Sequence, residues 1–156
     1  MSGTPALRAA GIEDAASLAA LIRLAFSAQS VVTDPLPSAL KENPASLEAH
    51  FRKGDGGFLV EGPVAGLLWA VTDKGLYLGR VAVHPEWRGR GFAKRLIEAA
   101  EGVARGRRLP LMHLSTRLVL ADNRRLFAAC GFVETTREAH PGYAHPTFVN
   151  MEKRLG

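Results

Sequence analysis

The run Arg88-Gly89-Arg90-Gly91-Phe92-Ala93 is where this sequence most plainly offers chemistry. A helix is expected to begin there. The first amides of a helix have no carbonyl partner within it, and the helix dipole turns its positive end toward the same point. Glycines at 89 and 91 remove the Cβ atoms that would keep an anion away from those amides, while Arg88 and Arg90 add formal charge beside them. A diphosphate suits this arrangement. The run is not a Walker sequence, which needs Gly-Lys-Ser/Thr, and it lacks the three-glycine spacing and later acidic residue of a dinucleotide fingerprint. Nucleoside triphosphates and NAD therefore recede as ligands.

At 156 residues the chain fits one domain spanning 1–156, since two independent cores would leave each half close to the size at which folding alone becomes marginal. An apolar share of 47% and a charged share of 22% belong to an ordinary globule. No apolar run approaches the ~18–20 residues of a membrane span, and Met1 to Ala10 carries no apolar stretch behind a basic start. The expected location is cytoplasmic. A lone Cys130 excludes an internal disulfide and a cysteine metal cluster, so no metal is expected and the thiol is read as part of the core. The net charge of +5 and pI near 9.9 point to anionic ligands without choosing among nucleic acid, lipid and phosphorylated small molecules. RNA-binding glycine–arginine tracts are repeated and disordered, whereas this one opens a patterned helix, which ranks nucleic acid last.

The elements that must position the glycine run can be read from periodicity. A short strand at Ala6–Ala10 leads to Asp14, read as an N-cap, and to a helix with Leu18, Leu21, Ile22, Ala25 and Phe26 on one face. From Ser27 to Pro44 the pattern dissolves around Pro35, Pro37 and Pro44, marking a loop that could line a cleft, and a second helix runs from about Ala45 to Lys53. Gly57–Glu61, Val64–Thr72 and Leu76–Val83 read as three strands of an antiparallel meander. After His84-Pro85 and the glycine run, a helix carries Phe92, Leu96, Ala100 and Val103 to Gly106. Leu111–Thr116 is a further strand. Asp122 or Asn123 is read as the cap of a helix through Leu126, Phe127 and Cys130, and strands at Phe132–Arg137 and Thr147–Lys153 finish the chain. This order gives a mixed sheet flanked by helices.

In that context the glycine run resembles the GNAT N-acetyltransferase superfamily. Its signature, Arg/Gln-x-x-Gly-x-Gly/Ala, is met by Arg88, Gly91 and Ala93, behind a strand ending Val81-Ala82-Val83-His84-Pro85. Asn123 to Phe132 is similar to the family's Asn-x-x-x-x-Tyr-x-x-x-Gly-Phe helix, and Val149-Asn150-Met151-Glu152-Lys153 to its last strand. The resemblance covers nearly the whole chain. It implies an α/β (α+β) fold with a mixed, mainly antiparallel sheet of about six to seven strands, splayed near the central strand and flanked by about four helices. It also implies acetyl-coenzyme A as acyl donor. The pantetheine arm would lie along the backbone of Val81, Ala82 and Val83, and the diphosphate would rest on Arg88, Gly89, Arg90, Gly91, Phe92 and Ala93, with Lys94 at the same turn. Asn123 would bond the pantetheine arm or merely cap its helix, and Phe127 would border the cofactor.

In such enzymes a primary amine, on a small molecule or on a peptide or protein, attacks the thioester directly in a ternary complex. The protein then contributes positioning, oxyanion stabilisation and proton handling. The backbone N–H of Val83 is the candidate oxyanion donor. Departures from the family matter here. Phe127 stands where many relatives carry a tyrosine that protonates the leaving thiolate. A general acid is typically worth ~10²–10⁴ in rate, but a thiolate of pKa ~8.5 is tolerable without one. Tyr77 stands where a base-like glutamate is often found. An α-amino group of pKa ~8 is about a tenth neutral at pH 7 and needs little help, whereas a lysine of ~10.4 does. In the loop His140-Pro141-Gly142-Tyr143-Ala144-His145-Pro146, which borders the acceptor site in relatives, His140 and Tyr143 are the candidate substrate contacts. His113 reads as a strand residue satisfied locally and His84 as a turn residue. The alternative to an enzyme is a GNAT-shaped module that binds acyl-coenzyme A without turnover, kept alive by Phe127. Either form could be a homodimer.

Overall fold

Every residue from Ala65 to Trp69 is buried, so this strand must have a neighbour on each side and a layer over each face. In the computed structural model, which describes residues 4–29 and 31–156, it is the third strand of the chain. The order of elements is β1 (Leu7–Ala9), α1 (Ala15–Ser27), α2 (Pro44–Arg52), β2 (Gly56–Val60), β3 (Ala65–Val71), β4 (Leu76–Val83), α3 (Phe92–Gly106), β5 (Leu111–Arg117), α4 (Ala121–Ala129), β6 (Val133–Glu138) and β7 (Phe148–Arg154). A seven-stranded sheet runs β1-β2-β3-β4-β5-β7-β6. All neighbours are antiparallel except β4 and β5. The expected mixed, mainly antiparallel sheet with four α-helices is the observed one.

The helices divide between the two faces. α3 turns Phe92, Leu96, Ile97, Ala100 and Ala104 inward, at the spacing of one helical stripe. They share a core with Leu67 and Trp69 of β3, Met112 and Leu114 of β5, and Val149 and Met151 of β7. Phe127 of α4 joins the same core. On the opposite face, Leu18, Leu21 and Ile22 of α1 pack with Leu47 of α2, Leu59, Leu68 and Ala82. The approach is close enough to need a glycine: a Cβ on Gly66 would lie 2.7 Å from Cδ2 of Leu18.

Two features of the sheet shape the site. β4 and β5 pair only at Leu76↔Met112 and Tyr77↔His113, yet β4 stays paired with β3 as far as Val83 and β5 with β7 as far as Arg117. The sheet therefore forks between its fourth and fifth strands. Just where the fork opens, the register of β3 against β4 shifts: Leu68 faces Gly79 while Gly66 faces Ala82. The extra residue lies in β4, and Arg80 takes a left-handed φ of 53° there. Such a bulge bends and twists the strand that carries it.

Two expected helix caps are corrected. Asp14 makes no capping bond to α1. Its carboxylate is drawn instead to the Arg8 guanidinium, at 2.8 and 2.9 Å, and to the Gly11 N–H at 2.9 Å, closing a short 3-10 turn ahead of the helix. In α4 the N–H of Arg124 bonds the carbonyl of Leu120 at 3.1 Å, which puts Leu120 at the cap. Asp122 and Asn123 lie inside the first turn, where Asp122 pairs with Arg125. The loop after α1 also holds a 3-10 turn, Ser38–Lys41, and α2 starts at Pro44 with Asn43 accepting from Ser46 N–H as its cap.

Candidate functional site

The glycine run closes one end of the fork. Gly89 and Gly91 have φ of 77° and 78°, a region in which residues with a Cβ are strained. A Cβ at either position would meet nothing within 4 Å, so the concave side of the turn is open. The first i→i−4 bond of α3 runs from Arg95 N–H to Gly91 C=O at 3.2 Å. The amides of Phe92, Ala93 and Lys94 precede it and have no helical acceptor. A cavity of about 670 Å³ lies over them, walled by Val81, Val83, Trp87, Asn123, Leu126 and Phe127.

The charges at this turn are used differently from one another. Arg88 sends its guanidinium to the carbonyls of Ala25 and Ala28, each at 3.2 Å, at the C-terminal end of α1 where a helix dipole favours a cation. Arg90 stacks over the Trp87 ring at 4.5 Å and Lys94 is exposed. The positive charge left exposed near the amides is thus that of Arg90 and Lys94, and Arg88 joins the turn to α1.

On the strand side of the cavity, His84 N–H bonds the carbonyl of Val64 at 2.8 Å, and Ala65 stands opposite Val83. Amides alternate in direction along a strand, so the N–H and C=O of Val83 turn away from β3 and into the fork. Asn123, half-buried, makes no capping bond and borders the cavity. Phe127 is 6% exposed and meets Phe132 edge-on at 6.3 Å. Cys130, three residues further on, packs against the core, and burial raises its thiol pKa, which keeps it protonated and inert.

A second cavity, of about 710 Å³, opens on the α1 and α2 side of the fork. It shares Phe26, Gln29, Val81, Leu120, Asn123 and Phe127 with the first. Its own walls include Tyr77, Glu42, Arg80, Arg117, His140 and Phe148. His140 therefore borders this space. Its Nδ1 is bonded to the Thr147 hydroxyl, its ring packs edge-on against Phe148 at 4.9 Å, and burial together with the charge of Arg117 lowers its pKa. The neutral imidazole is the form favoured at pH 7. Tyr143 is placed elsewhere: its hydroxyl donates to Asp34 at 2.5 Å, which raises its pKa, and it lines neither cavity. His113 bonds Thr72 Oγ1 at 2.7 Å and the His84 ring accepts from Glu86 N–H at 3.1 Å, both as local contacts.

Sequence reasoning missed Glu42, Arg80 and Arg117. Arg80 Nε lies 2.8 Å from Glu42 Oε2, and a second nitrogen of Arg80 bonds Ser38 Oγ at 3.0 Å, which ties the loop before α2 to the bulge. Burial would raise the Glu42 carboxyl, but bonds from Arg80 and Ser46 outweigh it and hold the group below the usual carboxylate range. The signal for Arg80 was present: Gly79-Arg80 interrupts an otherwise apolar central strand, and a glycine inside a strand often marks a bulge.

The model of the acetyltransferase (GNAT) family matches residues 19–132. The chain belongs to the GNAT acetyltransferase family. Three solved GNAT structures share its fold over nearly their whole length. A GCN5-related N-acetyltransferase from Rhodopseudomonas palustris is 22% identical with a TM-score of 0.75, covering 99% of this chain and 98% of that one. The ribosomal-protein-alanine N-acetyltransferase of Brucella melitensis is 20% identical with a TM-score of 0.73, covering 96% and 99%. The paia N-acetyltransferase of Thermoplasma acidophilum, solved in complex with coenzyme A, is 17% identical with a TM-score of 0.75, covering 99% and 100%. A sequence search of curated proteins found no match. Among the described residues no helix is long and apolar enough to cross a membrane.

Proposed function

We propose that this chain is an N-acetyltransferase that moves an acetyl group from acetyl-coenzyme A to a primary amine by direct attack in a ternary complex, working as a single domain in the cytoplasm. The observation that carries this reading is the meeting of the two cavities at the fork. They share Val81, Asn123 and Phe127, and the Val83 amide faces the gap between the strands. A donor in one cavity and an acceptor in the other would meet without any covalent acyl-enzyme. The residues present fit the donor: open glycine amides for the diphosphate, apolar Val81 and Val83 for the arm, and Asn123 as a polar contact along it. A coenzyme A complex of a GNAT neighbour with the same fold supports the choice of ligand.

The bound donor supplies an activated thioester. Val83 N–H would donate to the thioester oxygen as negative charge develops on it, and a fixed backbone donor there needs no reorganisation during reaction. The second cavity would hold the amine against the carbonyl carbon, converting a bimolecular encounter into a positioned one. His140, with its pKa lowered, could take a proton from the amine directly or through water. Phe127 donates no proton and Cys130 holds its own, so the departing sulfur would be protonated by solvent.

Release of free thiol from acetyl-coenzyme A, measured against a panel of amines, tests the proposal. Amine-dependent release supports it. Thermal stabilisation by acetyl-coenzyme A with no release from any amine would favour the second reading, an acyl-coenzyme A binding module, to which the phenylalanine at position 127 already lends weight.

A further inference from the structure

One charged group in the lining of the second cavity has no bonded carboxylate among the described residues. Glu42 pairs with Arg80 at 2.8 Å and Lys53 with Asp55 at 3.5 Å, so those four charges cancel. Arg117, at the end of β5, is the remaining charged group of the lining. It bonds the backbone carbonyls of Pro35 and Leu36, which are neutral and leave its charge in place. Among the described residues no carboxylate is bonded to it. Asp34 lies close by and attracts it, but makes no ion pair with it, receives the Tyr143 hydroxyl at 2.5 Å and is not part of the lining. Arg117 is half-buried, and burial lowers its pKa against the opposing pull of Tyr143 and Asp34. A partly desolvated guanidinium with no directly bonded carboxylate can still take an anion as a charge-assisted hydrogen-bond partner.

We propose that the acceptor is a small amine that also carries a carboxylate, an amino acid in the broad sense, and that Arg117 holds the carboxylate. This rests on the acetyltransferase reading above. Arg117 stands opposite Phe148 in the β5–β7 register, and the His140 ring packs on Phe148, so the anion would sit beside the imidazole. The other titratable lining groups do not compete for it: His50 is bonded to the Gly56 carbonyl at 2.8 Å, and Tyr77 packs on His113 at 5.2 Å.

Matched pairs test this. Thiol release from acetyl-coenzyme A is measured with α-amino acids, β-alanine and γ-aminobutyrate, each against its own primary carboxamide. For at least one pair the acid should exceed the amide in kcat/KM by about ten- to a hundredfold, the range of one charge-assisted contact, with most of the difference in KM. Arg117→Gln should bring that ratio to about one, and Arg117→Lys should restore part of it. The wild-type ratio decides the matter if Arg117→Gln does not fold. Amides or simple amines that turn over as well as every acid would overturn the inference and leave the acetyltransferase reading standing. A ratio unchanged in Arg117→Gln would remove Arg117 from the recognition. Thiol release with no amine at all would overturn the underlying reading instead.

Discussion

Gly91 carries two demands at once: a left-handed backbone, with φ of 78°, and an open approach to the amides that follow. Gly91→Gln and Gly91→Glu should both lose about 1–2 kcal/mol of stability from the backbone alone. Only the glutamate brings a carboxylate to a site suited to phosphates, so its coenzyme A affinity should fall about a hundredfold below that of the glutamine variant, by calorimetry. Phe127 poses a different question. It is nearly buried and borders both cavities, and Phe127→Tyr is expected to keep or raise turnover, read as kcat in the thiol-release assay. Complete loss of turnover in a folded variant would mean that the phenylalanine shapes the pocket. Much of the site was legible at this scale, because a glycine turn opening a helix has a local physical cause. The fate of Arg88 was not, since its partners at Ala25 and Ala28 are distant in sequence and only the fold brings them near.

The elements contribute the fork and the straps around it. If the left-handed Arg80 sets the bulge, Arg80→Val should be less stable than Arg80→Gly by about 1–2 kcal/mol in urea unfolding. Both variants lose the Glu42 pair, so the difference isolates the backbone. At the first strand, Asp14 accepts from Arg8 and Gly11, and the Arg8 hydrogen bond chiefly holds its pKa low. A depressed carboxyl contributes stability above its unfolded pKa and loses it as pH falls through the folded one. The stability gap between wild type and Asp14→Ala should therefore be about 1–3 kcal/mol at pH 7 and should close in strong acid. The meander and the stripe of α3 were legible because periodicity records which face is buried. The helix caps were misread because a carboxylate near a helix start also answers to neighbouring arginines, Arg8 for Asp14 and Arg125 for Asp122.

At the scale of the whole molecule the sheet is a frame that splits, and the split leaves a cavity on each side. The seven-strand order was within reach of the sequence only through resemblance, since strand order depends on contacts between segments far apart. The charged lining of the second cavity was out of reach, because Glu42, Arg80 and Arg117 come from three separate segments of the chain. The proposed chemistry depends on the open amides at the start of α3 holding a diphosphate beside the fork. Calorimetric titration with coenzyme A and with pantetheine, which has the same thiol arm and no phosphate, tests it most directly. Coenzyme A should bind at least about a hundredfold more tightly, as expected of several charge-assisted contacts. Equal affinities for the two would contradict it.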